Sequence, residues 1–477
     1  MDSFKNLMNH LTTFLRNLSS SWSKSRTHST IILLVTIALI FFFSASDTSP
    51  TTTTNTTNLT SGLHSAATFI SSLPSMLSSN THLVYNSSGT CSVTAKGQEC
   101  HQNVTETGEV GNDISSCDIF DGQWIADGFG PLYLPGSCPF IDDSFNCFNN
   151  GRTDSGYLKL RWKPHGCHIP RFDGLKMLEM LRGKRVVFVG DSLNRNMWES
   201  LVCALRASLY NKSRVFEASG RRQFRTQGFY SFRFKDYRCS IDFIKSPFLV
   251  QEWKIADKAG TRREMLRLDM IQGSSRKYHD ADIIIFNTEV KQLICWEMSF
   301  FSNNYFQEGN HVYTRLEVAD AYTRALKTWA QWVDSHVNPR RTRVFFRGYS
   351  ASHFNDWRFC FCDIGRGGQW QSGGNCDGET EPITNETHLA PYPWMMSILE
   401  SVIAEMKTPV FYLNVTRMTD YRKDGHPSIF RPAKAHNTGR NPGMIQDCSH
   451  WCLPGVPDTW NELLFATLLT SHHSSIN

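Results

Sequence analysis

The chain has 477 residues, a formal net charge of +5 and 14 cysteines, so it is long enough to bury a large core in one or two domains. The charge is mild and spread along the chain, and no nucleic-acid-binding module pattern is present, which excludes a dedicated nucleic-acid-binding protein. Short basic clusters, such as Arg221, Arg222 and Arg225, are interpreted as solvated faces or as contacts to an acidic polymer.

An apolar segment near the N-terminus predicts a membrane anchor. Residues 1–29 are polar and carry several basic side chains, and Ile31 to Phe43 form a nearly unbroken apolar run. Because the basic residues precede this run, we expect a cytoplasmic tail at 1–29, a single transmembrane signal anchor at 30–45 and a lumenal remainder. A cleaved signal peptide is the alternative, since small residues follow the run.

Residues 46–115 are rich in Ser, Thr and Asn and show little periodicity, which predicts a disordered, glycosylated stem. Asn-x-Ser/Thr sequons follow the apolar segment at Asn55, Asn58, Asn86, Asn103, Asn211, Asn385 and Asn414. Together with the many cysteines, they indicate an oxidising, glycosylating compartment in which disulfide bonds are expected. Zinc binding is the alternative for Cys360-x-Cys362 and for Cys448, His450 and Cys452, although these spacings match no standard zinc motif.

Ordered structure is predicted from about residue 116. Residues 116–169 hold four cysteines among Gly, Pro and aromatic residues, which predicts a loop-rich N-terminal lobe stapled by disulfide bonds. Strands and helices then alternate over a domain predicted at 170–471. The expected strands lie at 186–189, 283–286, 344–346 and 410–413, and the expected helices lie at 175–181, after Gly190, and at 319–333, 395–403 and 459–469. This alternation predicts an α/β fold with a doubly wound, mostly parallel sheet.

The tripeptide Gly190-Asp191-Ser192 lies between the strand at 186–189 and the helix after it. Ser192 is therefore expected at the carboxyl end of the sheet and at a helix N-terminus, where free backbone N–H groups favour negative charge. Such a position suits a nucleophilic serine whose own N–H helps to hold an oxyanion. The alternative is that Asp191-Ser192 is an ordinary N-cap. No Walker A or GxGxxG motif is present.

Asp447 and His450 lie close together in a second segment near the C-terminus, DCSHWC. A nucleophilic serine needs a histidine base, and that histidine needs a carboxylate that fixes its tautomer, so this segment supplies both partners. A surface histidine beside a disulfide bond is the alternative. Asn287, at the end of the strand at 283–286, can donate to an oxyanion or cap a turn.

Several segments between residues 117 and 470 carry a family resemblance. They include CDIFDGQW, RGKRVVFVGDSLNRNMWESLVC, VFFRGYSASHF, GGQWQSGGNCDGETEPI and DCSHWCLPGVPDTWNELL. Together they resemble the plant trichome birefringence-like family of polysaccharide O-acetyltransferases, which has a GDSL/SGNH-like esterase fold. The resemblance implies a single-pass type II Golgi membrane protein with a lumenal catalytic domain that acetylates a cell-wall polysaccharide such as xylan or pectin.

The resemblance also implies a mechanism. It makes Ser192 the nucleophile and Asp447 and His450 the other members of a triad, with no metal and no bound cofactor. Ser192 takes an acetyl group from a donor such as acetyl-CoA, and a sugar hydroxyl then accepts it, while His450 moves each proton. Gly190, Asp191 and Asn287 are candidate oxyanion or substrate contacts. Two other functions stay open: a polysaccharide acetylesterase, and a non-catalytic pectin-binding protein that maintains esterification.

Some features concern the walls of this site. Trp451 adjoins His450 and is a candidate for stacking on a sugar ring, with core packing as the alternative.

Residues 289–303 and 355–366 depart from the family pattern, and they bring Cys295, Cys360 and Cys362. We interpret both departures as altered exon joining, a hypothesis that sequencing the transcript tests.

Overall fold

A computed structural model of the chain describes residues 117–220, 228–256, 262–288, 306–354, 375–432 and 446–473. The predicted tail, membrane anchor and stem, and the two segments that depart from the family pattern, lie outside these ranges. No helix within them combines the length and the hydropathy of a membrane span.

The regular elements of the described residues are as follows. The strands are β1 (Gly122–Ala126), β2 (Leu160–Pro164), β3 (Arg185–Gly190), β4 (Val215–Glu217), β5 (Phe229–Phe234), β6 (Cys239–Lys245), β7 (Val250–Ala256), β8 (Arg262–Ile271), β9 (Ile283–Phe286), β10 (Phe306–Glu308), β11 (His311–Tyr313), β12 (Arg343–Arg347) and β13 (Val410–Leu413). The α-helices are α1 (Gly174–Met180), α2 (Ser192–Ala207), α3 (Val318–His336), α4 (Trp394–Glu405), α5 (Thr416–Asp420) and α6 (Val456–His473).

The largest sheet has seven strands in the order β13-β12-β9-β3-β6-β5-β4. The strands from β13 to β6 are parallel, whereas β5 and β4 run antiparallel at one edge. From β3 the chain goes to β6 on one side and later returns to β9 on the other. In such sheets the crevice outside the carboxyl ends of the strands, at the point where the winding reverses, is where ligands bind. That point is the end of β3.

Helices cover both faces of this sheet. Successive strand residues point to opposite faces, and in β3 the residues on both faces are apolar. Val186 and Phe188 of β3 pack in a core shared with α1, α2 and α6. Val187 and Val189 pack in a second core shared with α3 and α4. The predicted mixed α/β architecture is confirmed, and all four predicted strands belong to the parallel part of the sheet.

The sequence analysis predicted only β3, β9, β12 and β13 and missed the other strands, including β6 near the centre of the large sheet. Within β6, Ser240 and Asp242 are buried and alternate with apolar residues. Such alternation is typical of a strand with one face in water, and not of a strand beside the centre of a parallel sheet. Asp242 tolerates burial because Arg185 Nε, on the adjacent strand, donates to its carboxylate at a distance of 2.8 Å.

Disulfide bonds tie the N-terminal lobe to the rest of the fold. The described pairs are Cys117–Cys167, Cys138–Cys203, Cys147–Cys452 and Cys376–Cys448. The first closes the lobe on itself, but the second joins the lobe to α2 and the third joins it to the segment after His450. The zinc alternative for Cys448 and Cys452 is wrong, because both sulfur atoms are in disulfide bonds. Cys360 and Cys362 lie outside the described residues.

Two buried carboxyl groups near the start of α6 make stability depend on pH. Burial raises the pKa of Glu462 to about 7, and the charge of Arg171 opposes the rise only in part. Burial also raises the pKa of Asp458 to about 7, against hydrogen bonds from Ser200, Gly455 and Tyr133. The folded protein therefore keeps protons that the unfolded chain loses near pH ~4. The stability that these two protonated carboxyl groups contribute is complete below about pH 4, declines as the pH rises, and is lost above about pH 7.

We expect Glu462→Gln to flatten this pH dependence. Gln is neutral at every pH, so the free energy of unfolding of the variant should exceed that of the parent at alkaline pH, by roughly 3 kcal/mol at most. Denaturant titrations of both proteins at about pH 4 and about pH 8 measure the difference. Glu179→Gln, at an exposed ion pair with Arg182, is the control. The expectation would be contradicted if the free energy of unfolding changed equally between the two pH values in the parent and in Glu462→Gln.

Candidate active site

The turn from β3 to α2 presents Ser192 at the edge of the sheet. Asp191 is the N-cap of α2, and its carboxylate accepts from the backbone N–H groups of Leu193 at 2.8 Å and Asn194 at 3.2 Å. Ser192 is the first residue of the helix and is partly exposed. The N-cap alternative is thus correct for Asp191. It is compatible with a nucleophilic Ser192, because the cap leaves the serine hydroxyl at the positive end of the helix dipole.

Asn287 and Gly190 shape this turn from the neighbouring strand end. The Asn287 side-chain oxygen accepts from the Asp191 N–H at 3.0 Å, and its amide nitrogen donates to Asp191 Oδ1 at 2.7 Å. A Cβ atom at position 190 would lie 1.8 Å from Asn287 Oδ1, so only glycine allows this approach. These contacts order the turn that precedes Ser192 and occupy the Asp191 N–H. Oxyanion contacts by Gly190, Asp191 and Asn287 stay predictions.

His450 joins Ser192 to Asp447 through both nitrogens of its ring. His450 Nε2 lies 2.7 Å from Ser192 Oγ. On the other side of the ring, Nδ1 lies 2.9 Å and 3.0 Å from the two carboxylate oxygens of Asp447. A carboxylate accepts only, so Nδ1 carries the proton and Nε2 is left to accept from the serine hydroxyl. The residues come from opposite ends of the domain and meet at the carboxyl end of β3.

The Asp447 carboxylate is held in its ionised form. Burial alone would raise its pKa, but the charge and hydrogen bond of His450, the charge of Arg431 and a backbone N–H together keep the pKa well below its usual range. Its oxygen Oδ1 also accepts from the backbone N–H groups of Ser449 and His450. Asp447 therefore folds the turn that carries His450 and at the same time orients the imidazole.

Asn196 joins α2 to the loop that carries His450, and the sequence analysis did not identify it. Its side chain accepts from the Trp451 N–H at 2.9 Å and donates to the Trp451 carbonyl at 3.1 Å. It follows Ser192 by one helical turn, and residues at this spacing share a helix face. That spacing, in the stretch GDSLNRN, was the available signal.

The structure corrects the expectation for Trp451. Its side chain is fully buried, with 0% of its surface exposed, and Nε1 donates to Ser350 Oγ at 2.8 Å. The ring stacks on His426 with centroids 4.2 Å apart. A sugar cannot reach either face of this ring, so Trp451 packs beneath the site.

The N-terminal lobe contributes a wall of the site. The ring of Phe145 lies against the His450 imidazole, with centroids 5.3 Å apart. The guanidinium carbon of Arg195 in α2 lies over the Phe145 ring, 4.6 Å from its centroid, and Arg195 pairs with Asp142 at 3.0 Å. Because Phe145 is in the lobe, the side chain next to the imidazole depends on docking of the lobe, which no local sequence pattern indicated.

Comparison with known proteins agrees with this fold. Residues 169–467 match the PC-esterase family, described as the GDSL/SGNH-like acyl-esterase family found in Pmr5 and Cas1p. Residues 115–168 match the PMR5 N-terminal domain.

Full-length relatives extend the comparison. The chain is 62% identical to Protein trichome birefringence-like 4 of Arabidopsis thaliana over 365 residues, which cover 76% of this chain and 77% of that protein. It is 55% identical to Protein trichome birefringence of the same plant over 357 residues, and it spans only 57% of that longer protein. The chain therefore belongs to the PC-esterase family of GDSL/SGNH-like acyl-esterases and to its trichome birefringence-like members.

Proposed function

We propose that this protein is an O-acetyltransferase that moves acetyl groups onto hydroxyls of a cell-wall polysaccharide, xylan or pectin, through an acyl-serine intermediate. The observation that carries the proposal is the hydrogen-bonded series from Ser192 through His450 to Asp447. Membership of an acyl-esterase family supports acyl chemistry at this site.

In the first half-reaction, Ser192 Oγ attacks the carbonyl carbon of an acetyl donor such as acetyl-CoA. His450 Nε2 takes the hydroxyl proton, and Asp447 stabilises the imidazolium that forms. The N–H of Ser192 is in the first turn of α2, where it has no intrahelical acceptor, so we expect it to donate to the developing oxyanion. The leaving group departs with the proton from His450, and an acetyl ester on Ser192 remains.

In the second half-reaction, a sugar hydroxyl attacks the acetyl-serine. His450 takes the hydroxyl proton and returns it to Ser192 Oγ as the ester bond to serine breaks. If water attacks in place of the sugar, the same groups make an acetylesterase. Transfer therefore requires that the bound sugar displaces water from the position next to His450 from which the ester carbonyl is attacked.

The proposal includes a location. We place the protein in the Golgi membrane as a single-pass type II protein, anchored by residues 30–45, with its catalytic domain in the lumen. The basic residues before the apolar run support this orientation. The disulfide bonds of the folded domain support an oxidising compartment.

One assay distinguishes the open functions. The purified full chain is incubated with acetyl-CoA and deacetylated xylan or pectin oligosaccharides, and separately with the acetylated forms. The proposal expects oligosaccharides that gain an acetyl group by mass spectrometry. Release of acetate from acetylated oligosaccharides without transfer would identify an esterase. Binding of the oligosaccharides without either reaction would identify a polysaccharide-binding protein, and both outcomes would overturn the proposal.

A further inference from the structure

Two buried histidines lie directly behind the loop that carries His450. His353 and His426 expose only 4% and 2% of their surfaces, and His353 Nδ1 lies 2.7 Å from His426 Nε2. The outer nitrogens both face backbone carbonyls: His426 Nδ1 lies 2.6 Å from the carbonyl oxygen of His450, and His353 Nε2 lies 2.9 Å from that of Asp420. Four hydrogen-bonding groups thus form one continuous series that ends on His450.

These contacts determine the number of protons in the pair. A carbonyl oxygen accepts only, so both outer nitrogens must carry protons. The short contact between the inner nitrogens requires one more proton, because two lone pairs at hydrogen-bond distance would repel each other. Two neutral imidazoles have only two N–H groups between them. The geometry therefore needs three N–H groups and one positive charge, which the two rings share.

The charges around the pair are compatible with one cation. Asp420 Oδ1 lies 3.5 Å from His353 Nε2 and supplies the counter-charge. Arg152 donates to the His426 carbonyl but is paired with Asp154. Arg422, two residues from Asp420, is paired with Asp424.

The catalytic loop adds its own charges to this environment. Asp447 is paired with His450, and the charge of Arg431 acts on Asp447. Among the described residues that pack on the pair, each of these cations thus has a carboxylate partner. The Asp420 carboxylate lies beside the His353 ring of the pair.

The pair also connects three segments of the site. The His353 N–H donates to the Cys448 carbonyl, and Ser428, two residues after His426, forms a bridge with Asp447. The His426 ring stacks under Trp451. The loop from Asp447 to Trp451 is therefore supported from behind by the two imidazoles. Loss of the shared proton would put two inner lone pairs face to face and push the rings apart.

We propose that His353 and His426 form a singly protonated pair that positions the loop carrying Asp447 and His450 and makes its assembly depend on the shared proton. Both are positioning residues for the proposed acetyl transfer, since they act on the site through the backbone carbonyls of His450 and Cys448. The inference rests on the proposed function only for its effect on turnover. The charge of the pair is a separate, directly measurable property of the folded chain.

The first test counts protons and needs no activity. The full chain is labelled with ¹⁵N in its histidines, and the ring N–H signals are recorded by NMR near neutral pH, with assignment by single His→Asn variants. We expect three ring N–H signals from His353 and His426 together, with a coupling across the inner hydrogen bond. Two signals, one from each ring, would overturn the proposal even if the protein proves to be an acetyltransferase.

The second test uses the pH profile of turnover. In the parent we expect kcat to decline at alkaline pH, as the pair loses its shared proton. In His353→Asn the amide nitrogen takes the place of Nδ1 and donates to His426 Nε2 without any charge, so this decline should disappear. In Asp420→Asn the counter-charge is lost, so the same decline should move to lower pH. In Asp420→Asn the side-chain amide oxygen can still accept from the Ala390 N–H, as the Asp420 carboxylate does in the parent.

A purely structural role predicts a different result. It predicts that the variants lower kcat equally at all pH values, which would overturn the proposal. His165→Asn, at an exposed histidine beside Asp121, is the control and should keep the parent profile. If no variant and no parent protein turns over, the acetyl-transfer proposal fails, and the NMR count still decides the charge of the pair.

Discussion

Replacing Ser192 with alanine is expected to lower the rate of acetyl transfer by roughly 10⁴-fold or more, with the fold unchanged. The substitution removes the oxygen that would form the acyl bond. It leaves the N-cap made by Asp191 and the clamp between Asn196 and Trp451 intact. Initial rates with acetyl-CoA and a deacetylated oligosaccharide measure the effect, and the denaturation midpoint reports the fold.

The control for this substitution is Ser219→Ala, at an exposed serine whose hydroxyl contacts only the nearby Glu217 among the described residues. It should keep the parent rate. Mass spectrometry of the protein after exposure to the donor alone should find an acetyl group on Ser192 in the parent and none in Ser192→Ala. Transfer that persists in Ser192→Ala at more than a few per cent of the parent rate would contradict a serine nucleophile.

Replacing Asp447 with asparagine is expected to lower kcat by roughly 10³- to 10⁴-fold. An asparagine amide can donate to His450 Nδ1, which favours the tautomer whose Nε2 carries the proton and cannot accept one from Ser192. The buried imidazolium that forms during the reaction would also lose its counter-charge. The substitution should lower kcat and change KM little, because the lost interaction is made in the transition state.

Asp236→Asn provides the matched control, since its carboxylate pairs with Arg214 at the surface. A surface ion pair contributes little, so this variant should keep its rate and its stability. Asp447→Asn also tests whether the Asp447 carboxylate acts on the proposed base, His450, during the reaction. A variant that retains kcat while losing stability would show that Asp447 only folds the loop, through its contacts to the N–H groups of Ser449 and His450.

The N-terminal lobe is joined to the loop that carries His450. Cys147 is joined to Cys452, two residues from His450, and the same stretch of the lobe places Phe145 against the imidazole. Cys448, on the other side of His450, is joined to Cys376. The histidine loop thus has a covalent constraint on each side, which limits the conformations that the unligated loop can adopt. Such preorganisation keeps the His450 imidazole within hydrogen-bond reach of the Ser192 hydroxyl before any ligand binds.

Local patterns were sufficient for part of this protein. Short apolar runs ended by glycine or a polar residue predicted the parallel strands, and helical spacing predicted the helices between them, because side-chain periodicity is imposed by the backbone of each element. The same reasoning located Ser192 at a strand-to-helix turn and assigned Asp447 and His450 to one short loop. Buried polar residues, such as Asp242, concealed β6, since their partners are distant in sequence.

Only the tertiary structure decided what surrounds these residues. It brings His450 within hydrogen-bond distance of Ser192, turns the Asn287 amide toward Asp191, buries Trp451 and pairs His353 with His426. Each of these contacts joins residues that are far apart in the chain or depends on packing from other elements. Sequence periodicity reports which face of an element is apolar, whereas the partner of a particular polar atom is set by how the elements pack together.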